Sequence, residues 1–515
     1  MLYPIGIQNF GEVRCGGYVY VDKTKYIYEL ARTGKYYFLG RPRRFGKSLL
    51  ISTMEAYFKG KKNLFKGLAI EKLEEKWEEH PVLHLDLNTA DYECDESLKE
   101  LLGDALTRWE ADYGTLPTET SLTLRFKGII QRACEKTGKK VVILIDEYDK
   151  PLIQTISNKD LQDKYRATMK ALYSVLKTQD EYIRFAFLTG VTKFGKVSIF
   201  SDLNNLTDIS TNKEYSAICG ITEAEIHENF DGPLHELAQA NGLTYEEACA
   251  QLKKMYDGYH FALNTPGVYN PFSLINALRF KEFGNYWFET GTPSFLVELL
   301  KASEYDLSKL EGDEVDSAVL GSVESYTDNP IPMIYQSGYL TIKSYDKRFD
   351  CYKLAFPNDE VKVSFIKYLV PTYVPKDRNG SRFTPKKFIK DVEAGDAESF
   401  MARLQSFFAN TSYEIIGDME KYFQNALFIV FTMLGFYSEV ERRTSKGRID
   451  IVLRTPHYIY LVECKLDKSA EEALNQIDSK GYALPYACEG RKLYKIGVNF
   501  SSETRGISDY KITEA

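Results

Sequence analysis

The 515-residue sequence holds only six histidines. None stands in an HExxH pattern or at Cys/His ligand spacing, so no zinc site is expected. Its eight cysteines lie far apart and form no Cys-x-x-Cys pair. In a chain this long they read as reduced, mostly buried thiols, and predict a cytoplasmic protein rather than a disulfide-built one. No apolar run reaches the roughly 18 residues of a membrane span. The longest, Ala426 to Tyr437, is broken by Thr432 and Gly435. The opening, Met-Leu-Tyr-Pro-Ile-Gly, has neither the basic start nor the apolar core of a secretory signal. An excess of basic charge is also missing: 66 Lys and Arg against 73 Asp and Glu leave a formal net charge of −7. That excludes a globally basic nucleic-acid coat but leaves room for a local basic patch. Internal repeats and low-complexity tracts are absent.

What is present is ample material for packed cores, with 44% hydrophobic and 14% aromatic residues. At about 100–200 residues per domain, the length predicts roughly three domains. The first block, 1–215, alternates short apolar runs (Tyr36–Leu39, Val82–Leu87, Val141–Ile145, Phe185–Leu188) with amphipathic stretches, the pattern of a parallel α/β sheet. The second block, 216–375, has mostly helical periodicity and turn signals at Asp257-Gly258, Asn270-Pro271 and Asn329-Pro330. A polar connector over 374–382 leads to the third block, 383–515. This opens with helices and then alternates strand-like runs (Ile449–Leu453, Tyr458–Glu463, Leu493–Phe500) with a helix near 468–482.

The segment from Tyr36 to Leu50 reads strand, loop, helix, and contains Arg41-Pro-Arg-Arg-Phe-Gly-Lys-Ser48. Backbone N–H donors, a helix N-terminus and a cation are what a phosphate needs. Lys47 would reach the β and γ phosphates, the Ser48 hydroxyl would ligate Mg²⁺, Gly46 would admit close backbone approach, and Leu49 follows in the same turn. The usual GxxxxGK[ST] pattern wants glycine where Arg41 stands, so the loop alone is a weak signal. A second half strengthens it. Val141 to Ile145 is an apolar strand ending in Asp146 and Glu147, which places carboxylates at the sheet crevice where α/β ligands bind. Asp146 would hold the Mg²⁺ shell and Glu147 would orient the attacking water. A third strand ends near Thr189 and Thr192, either of which is a candidate sensor of the γ-phosphate.

Near the C-terminus, Gly447-Arg-Ile-Asp-Ile-Val-Leu453 and Tyr458-Ile-Tyr-Leu-Val-Glu-Cys-Lys465 predict a β-hairpin across Thr455-Pro456. Glu463 and Lys465, at i and i+2, share one face. Asp450 and Glu463 would hold Mg²⁺ or Mn²⁺ through oxygen, and Lys465 would position or deprotonate water, the set that metal-assisted phosphodiester hydrolysis requires. Gln476 falls on the following helix, and Glu420, in the helix before the hairpin, is a further candidate acid. Glu-x-Lys also occurs at Glu74–Lys76, in what reads as a charged helix, and at Glu360–Lys362 after a Pro-Asn turn. Arg442, Arg443, Lys446 and Arg448 are either DNA-phosphate contacts or a solvated basic turn.

With these strings in view, the chain resembles a bacterial AAA-ATPase-like family. The resemblance is carried by Asp22-Lys-Thr24, the Arg41–Ser48 string, Ile145-Asp-Glu-Tyr-Asp149, Tyr256-Asp-Gly-Tyr259, Val268-Tyr-Asn-Pro-Phe-Ser273 and Tyr286-Trp-Phe-Glu-Thr-Gly291, and it covers nearly the whole chain. It implies a P-loop NTPase sheet, a helical, winged-helix-like middle region and a C-terminal α/β domain of the PD-(D/E)XK nuclease, or restriction-endonuclease-like, superfamily. Within that resemblance Lys47, Ser48, Asp146 and Glu147 match the ATPase positions, and Asp450, Glu463, Lys465 and Gln476 match the nuclease signature. The absent glycine at 41 is shared with the family. The expected protein is an ATPase, with ATP and Mg²⁺ as ligands, coupled to a metal-dependent endonuclease acting on DNA, in a setting such as phage or mobile-element defence. The alternative is a nucleotide-switched binding or signalling protein whose nuclease-like domain is inactive. A homo-oligomer is compatible with either. The aromatic residues around Trp287 are expected to serve packing and turns, and Asp22 and Lys23 to start a helix or to lie near the nucleotide.

Overall fold

The computed structural model describes residues 1–193, 199–200, 205–289, 296–297, 299–300, 303, 305–310, 314–321, 329–373, 385–409, 419–435, 439–442, 451–486, 489–504 and 506–514. The chain divides into two compact units. One is Met1–Phe295 with Gly312–Val361, the other Leu296–Glu311 with Lys362–Ala515.

The first unit is built on five parallel strands: β1 (Tyr36–Gly40), β2 (Val82–Asp86), β3 (Val141–Asp146), β4 (Ile183–Gly190) and β5 (Thr207–Asp208), in the order β2-β3-β4-β1-β5. β3 is buried at every position because helices cover both faces, which is why its sequence is a continuous apolar run rather than an alternating one. Burying each of its five aliphatic side chains contributes about 2 kcal/mol relative to exposure. Side-chain alternation assigns the faces. His84 of β2 bonds to Glu55 of the helix Lys47–Phe58. Its neighbour Leu85, with Ile143 and Ile145, meets Leu102, Phe126 and Leu172 from three helices on the opposite face. β4 is longer than the Phe185–Leu188 run implies and sits between β1 and β3, bringing its C-terminal end beside both phosphate-loop and acidic strands.

The residues from 216 onward in this unit carry helices Glu223–Ala240, Tyr245–Tyr256 and Pro271–Phe280, the first two with capping boxes set by Thr222 and Thr244. They are not helical throughout: β6 (Glu314–Asp316), β7 (Thr341–Asp346) and β8 (Cys351–Ala355) form an antiparallel sheet ordered β6-β8-β7. The Glu74–Lys76 pair expected in a charged helix lies outside one, since the helix Ala69–Leu73 has already ended; Glu74 instead accepts the Tyr57 hydroxyl.

The second unit has the sheet order β13-β12-β11-β10-β9, from β9 (Glu439–Arg442), β10 (Ile451–Arg454), β11 (Tyr458–Leu466), β12 (Lys492–Ser501) and β13 (Gly506–Glu514). β10 and β11 form the expected antiparallel hairpin, while β11 and β12 are parallel, joined through the helix Ala470–Ser479. Ile451, Leu453, Tyr460 and Val462 pack on helices Pro385–Ala394, Ala397–Phe408 and Met419–Gly435. Val452, Ile459 and Leu461 turn to the other face, against Leu474 and Ile477. Glu463 and Lys465 continue that second set, so the pleat delivers them beneath the helix that carries Gln476. Among the described residues, no helix is long and apolar enough to cross a membrane, and all seven described cysteines are free.

Candidate functional site

After β1 the chain turns through the loop Arg41–Gly46 into the helix Lys47–Phe58. Gly46 caps that helix at φ +89°, the left-handed region that glycine enters without steric cost; a Cβ there would meet nothing within 4 Å, so conformation alone selects glycine. Arg44 is also left-handed, and its guanidinium lies 4.2 Å from the ring centre of Phe272. Arg41, in the place of the customary first glycine, is turned into the protein interior. It is 1% exposed, donates to the carbonyls of Gly40, Ser210 and Tyr215, and lies 4.0 Å over the ring of Phe261. Burial pushes its guanidinium down to about 10. Arg41 therefore anchors the loop's first residue to the segment after β5.

Lys47 is buried, and its ammonium donates to the carbonyls of Arg41 (3.0 Å) and Pro42 (3.1 Å) and pairs with Glu147 Oε1 at 3.1 Å. At the end of β3, Asp146 accepts the hydroxyl of Thr189 from β4, and the Tyr148 N–H bonds to the Thr189 carbonyl at 2.8 Å. Glu147 holds φ +53°, a conformation that costs a side-chain-bearing residue on the order of 1 kcal/mol and is retained where neighbours fix it. Thr192, the alternative to Thr189 as a phosphate sensor, is committed elsewhere. Its N–H and hydroxyl both reach Asp149 Oδ2, at 2.6 and 2.7 Å. Asp149 is fully buried; that burial, and then the charge of Glu147, push its carboxyl up to about 6.

Gly46, Lys47, Ser48, Leu49, Asp146 and Glu147 all line one cavity of about 430 Å³. Thr189 is fully buried and reaches this group through Asp146. The far wall comes from residues that sequence patterning marks only as packing positions. Phe272 and Trp287 line the cavity, and the Trp287 indole N–H donates to the Arg43 carbonyl at 3.0 Å, tying the phosphate loop in place. Asp86, Arg43 and Lys150 also line it and were not singled out by motif; for Arg43 the signal was its place inside the loop string. Asp22 and Lys23 do not line it. Asp22 accepts from Thr24 and Ala69, and Lys23 pairs with Glu225 at 2.6 Å, so both fasten helix starts.

In the second unit, the ammonium of Lys465 lies 3.1 Å from Glu463 Oε1 and 2.7 Å from Gln476 Oε1. Glu463 is 1% exposed. Gly497 of β12 stands opposite Glu463, where a Cβ would come 2.2 Å from the Ala470 carbonyl; only glycine lets the helix descend far enough to bring Gln476 to Lys465. Asp450, with Arg443, Lys446 and Arg448, lies outside the described residues, and of Arg442 and Glu420 only the backbone is described. Among the described residues, no group of three or more His, Cys, Asp or Glu side chains could hold a metal ion. Glu360, of the other Glu-x-Lys pair in this chain, is buried and accepts from Ser273 and the Trp287 N–H.

A parallel sheet with β4 inserted between a phosphate-loop strand and an acid-tipped strand defines the class: a P-loop, AAA-ATPase-like fold followed by a nuclease-superfamily domain. Residues 4–200 match a family described as predicted AAA-ATPase, and residues 418–510 match the PD-(D/E)XK nuclease superfamily. A protein of Azotobacter chroococcum mcd 1, "Uncharacterized protein in vnfD 5'region", is 35% identical over 522 residues, spanning 99% of this chain and 98% of that one. The chain belongs to this family of predicted AAA-ATPases that carry a C-terminal PD-(D/E)XK nuclease superfamily domain. Among solved structures, the Aeropyrum pernix ORC2 protein (ADPNP-ADP complexes) is similar at 10% identity and a TM-score of 0.24, over 74% of this chain and 93% of that chain.

Proposed function

We propose that this chain hydrolyses ATP in the cavity at the ends of β1 and β3, and that its second unit is a Mg²⁺-dependent nuclease acting on DNA whose cutting is governed by the nucleotide. The observation that carries this is the convergence of Lys47, Ser48, Asp146 and Glu147, from segments far apart in the chain, on one cavity large enough for a nucleotide.

The donor set suits MgATP. The first-turn amides of helix Lys47–Phe58 have no intrahelical acceptor and offer N–H groups to phosphate. Ser48 and Asp146 supply the hard oxygens that Mg²⁺ prefers. Bound there, the ion would neutralise charge on the phosphates. Lys47 would exchange Glu147 for the β and γ phosphates, and the released Glu147 would orient the attacking water and take its proton. Thr189 would keep Asp146 oriented and register the γ-phosphate through it.

At the second site, Asp450 and Glu463 would hold Mg²⁺ or Mn²⁺, which would polarise the scissile phosphodiester. Lys465, steadied by Gln476, would position the water. The basic run Arg442, Arg443, Lys446 and Arg448 would contact DNA phosphates. A part in defence against phage or mobile DNA belongs to the same proposal.

The test uses the full chain with supercoiled DNA, RNA, Mg²⁺ or Mn²⁺, and ATP present or absent. Cleavage by the wild type that Glu463→Ala abolishes is the expected result. If the wild type binds ATP yet cuts no nucleic acid with either metal, the nuclease half fails and a nucleotide-switched binding protein is left.

A further inference from the structure

The nucleotide cavity carries more positive charge than the reading above employs. Four cations line it, Arg43, Arg44, Lys47 and Lys150, against the carboxylates of Asp86, Asp146 and Glu147. Lys47 is paired with Glu147, and Arg44 lies over Phe272. Two cations are left over. Neither the Arg43 guanidinium nor the Lys150 ammonium makes a hydrogen bond or ion pair with a described residue, although both are only part-exposed.

Their backbones, by contrast, are tied down. The Arg43 carbonyl takes the Trp287 indole N–H at 3.0 Å, and the Lys150 N–H donates to the Glu147 carbonyl at 3.0 Å. One cation thus springs from the phosphate loop just ahead of Lys47, the other from the turn just after Glu147. Burial, and then the charge of Arg43, push the Lys150 ammonium below its ordinary value, so the two cations lie within each other's field. Glu147, Asp149 and Asp86 offset part of this effect, but neither cation is paired with a described carboxylate, and two part-buried like charges remain unfavourable by themselves. The arrangement becomes favourable when a polyanion enters, and most favourable when negative charge grows at that spot during reaction.

We propose that Arg43 and Lys150 contact the terminal phosphate of ATP and stabilise the charge developing on it, so that the centre is complete in one copy of the chain and requires no arginine from a second. This rests on the reading that the cavity hydrolyses ATP. The water oxygen bonds to the terminal phosphorus. The bond to the bridging oxygen breaks, its electron pair leaving on ADP, and the water's proton passes to Glu147. Arg43 and Lys150 keep their protons throughout.

The experiment measures ATP hydrolysis and ADP binding by the full chain, for wild type, Lys47→Ala, Lys150→Met, Lys150→Arg and Arg43→Gln. Lys150→Met and Arg43→Gln are each expected to lose about 100-fold in kcat with ADP affinity changed less than about threefold, while Lys150→Arg recovers most of the rate. ADP binding also reports that each variant is folded, and should Lys150→Met fail to fold, Arg43→Gln answers the same question. Wild-type specific activity is expected to stay constant on dilution. The inference is overturned if both neutral variants hydrolyse ATP at the wild-type rate. It is equally overturned if activity collapses on dilution and returns when a Lys150→Met chain is mixed with a Lys47→Ala chain, because the charge would then come from a neighbour. A wild type that does not hydrolyse ATP, or a Lys47→Ala chain that binds ADP with wild-type affinity, defeats the ATPase reading itself, a distinguishable failure.

Discussion

Lys47 Nζ lies 3.1 Å from Glu147 Oε1, and the lysine side chain is only 3% exposed. With the carbonyls of Arg41 and Pro42, Glu147 completes the set of acceptors around the ammonium that a triphosphate would claim. On the proposed reading, nucleotide entry would break this pair and free the acid that would face the attacking water. Glu147→Gln removes the competing charge while keeping the shape. ATP affinity is expected to rise by roughly three- to tenfold as kcat falls by at least about 100-fold. Calorimetric titration and single-turnover hydrolysis measure the two effects. Weaker ATP binding by the variant would contradict the account of Glu147 as the ligand's competitor.

Restoring the missing glycine is expected to harm the protein. Arg41 fills its site with three hydrogen bonds to main-chain carbonyls and a ring contact to Phe261. Arg41→Gly would remove those three hydrogen bonds and leave a void beside Phe261. A loss of about 2–4 kcal/mol is expected, from the cavity and the lost hydrogen bonds together. Urea denaturation measures it; an equally or more stable variant would show that Arg41 is no anchor.

Asp149 gives the first unit a pH dependence of definite sign. Its carboxyl sits at about 6 in the fold against an ordinary 3.8, through burial and then the charge of Glu147. The folded chain thus holds this proton more tightly than the unfolded chain does. The associated stability is fully present below the ordinary value and is lost as pH rises through about 6. Relative to Asp149→Asn, the wild type is expected to lose on the order of 2 kcal/mol between about pH 4 and pH 7. Denaturation midpoints across that range check this, and a constant or widening wild-type advantage would contradict it.

The phosphate loop and the acids of β3 were legible because each is a contiguous string whose neighbours in sequence are its neighbours in space. The same holds for Glu463 and Lys465, which the strand period alone puts on one face. Gln476 could be placed because a short crossover helix returns over its own sheet. Trp287 and Phe272 show where legibility stops. Their bond and stacking to Arg43 and Arg44 join positions more than 200 residues apart, and nothing local distinguishes such an indole from a packing residue. The sheet β6-β8-β7 was hidden for a related reason. β7 buries only Thr341 and Ile342 at its start and is otherwise mostly exposed, so it lacks the alternation that reveals a strand. At Glu74 the charged run promised a helix, but the helix stops at Leu73, and Trp77 just beyond it adopts φ +46°. Tertiary fit decided there, with Trp77 buried against Tyr57 and Phe65.

The same balance between a buried acid and its cation makes the second site testable without any nucleic acid. Glu463 is buried, and the Lys465 ammonium lies 3.1 Å from its Oε1, itself steadied by Gln476. Removing the lysine alone takes the neighbouring cation away from a buried carboxylate. Because the Lys465 side chain keeps 19% exposure, the cost is expected to be about 1–3 kcal/mol, below that of a fully enclosed pair. Glu463→Gln, which removes the charge with the partner still present, is expected to cost less. A divalent ion at Glu463 would substitute for the missing ammonium. Added Mn²⁺ is therefore expected to raise the melting temperature of Lys465→Met more than that of wild type, and to leave Glu463→Gln unmoved. Thermal melts with and without the ion read all three chains in one series. Equal stabilisation of Glu463→Gln and wild type would place the ion elsewhere and remove Glu463 from the proposed metal set.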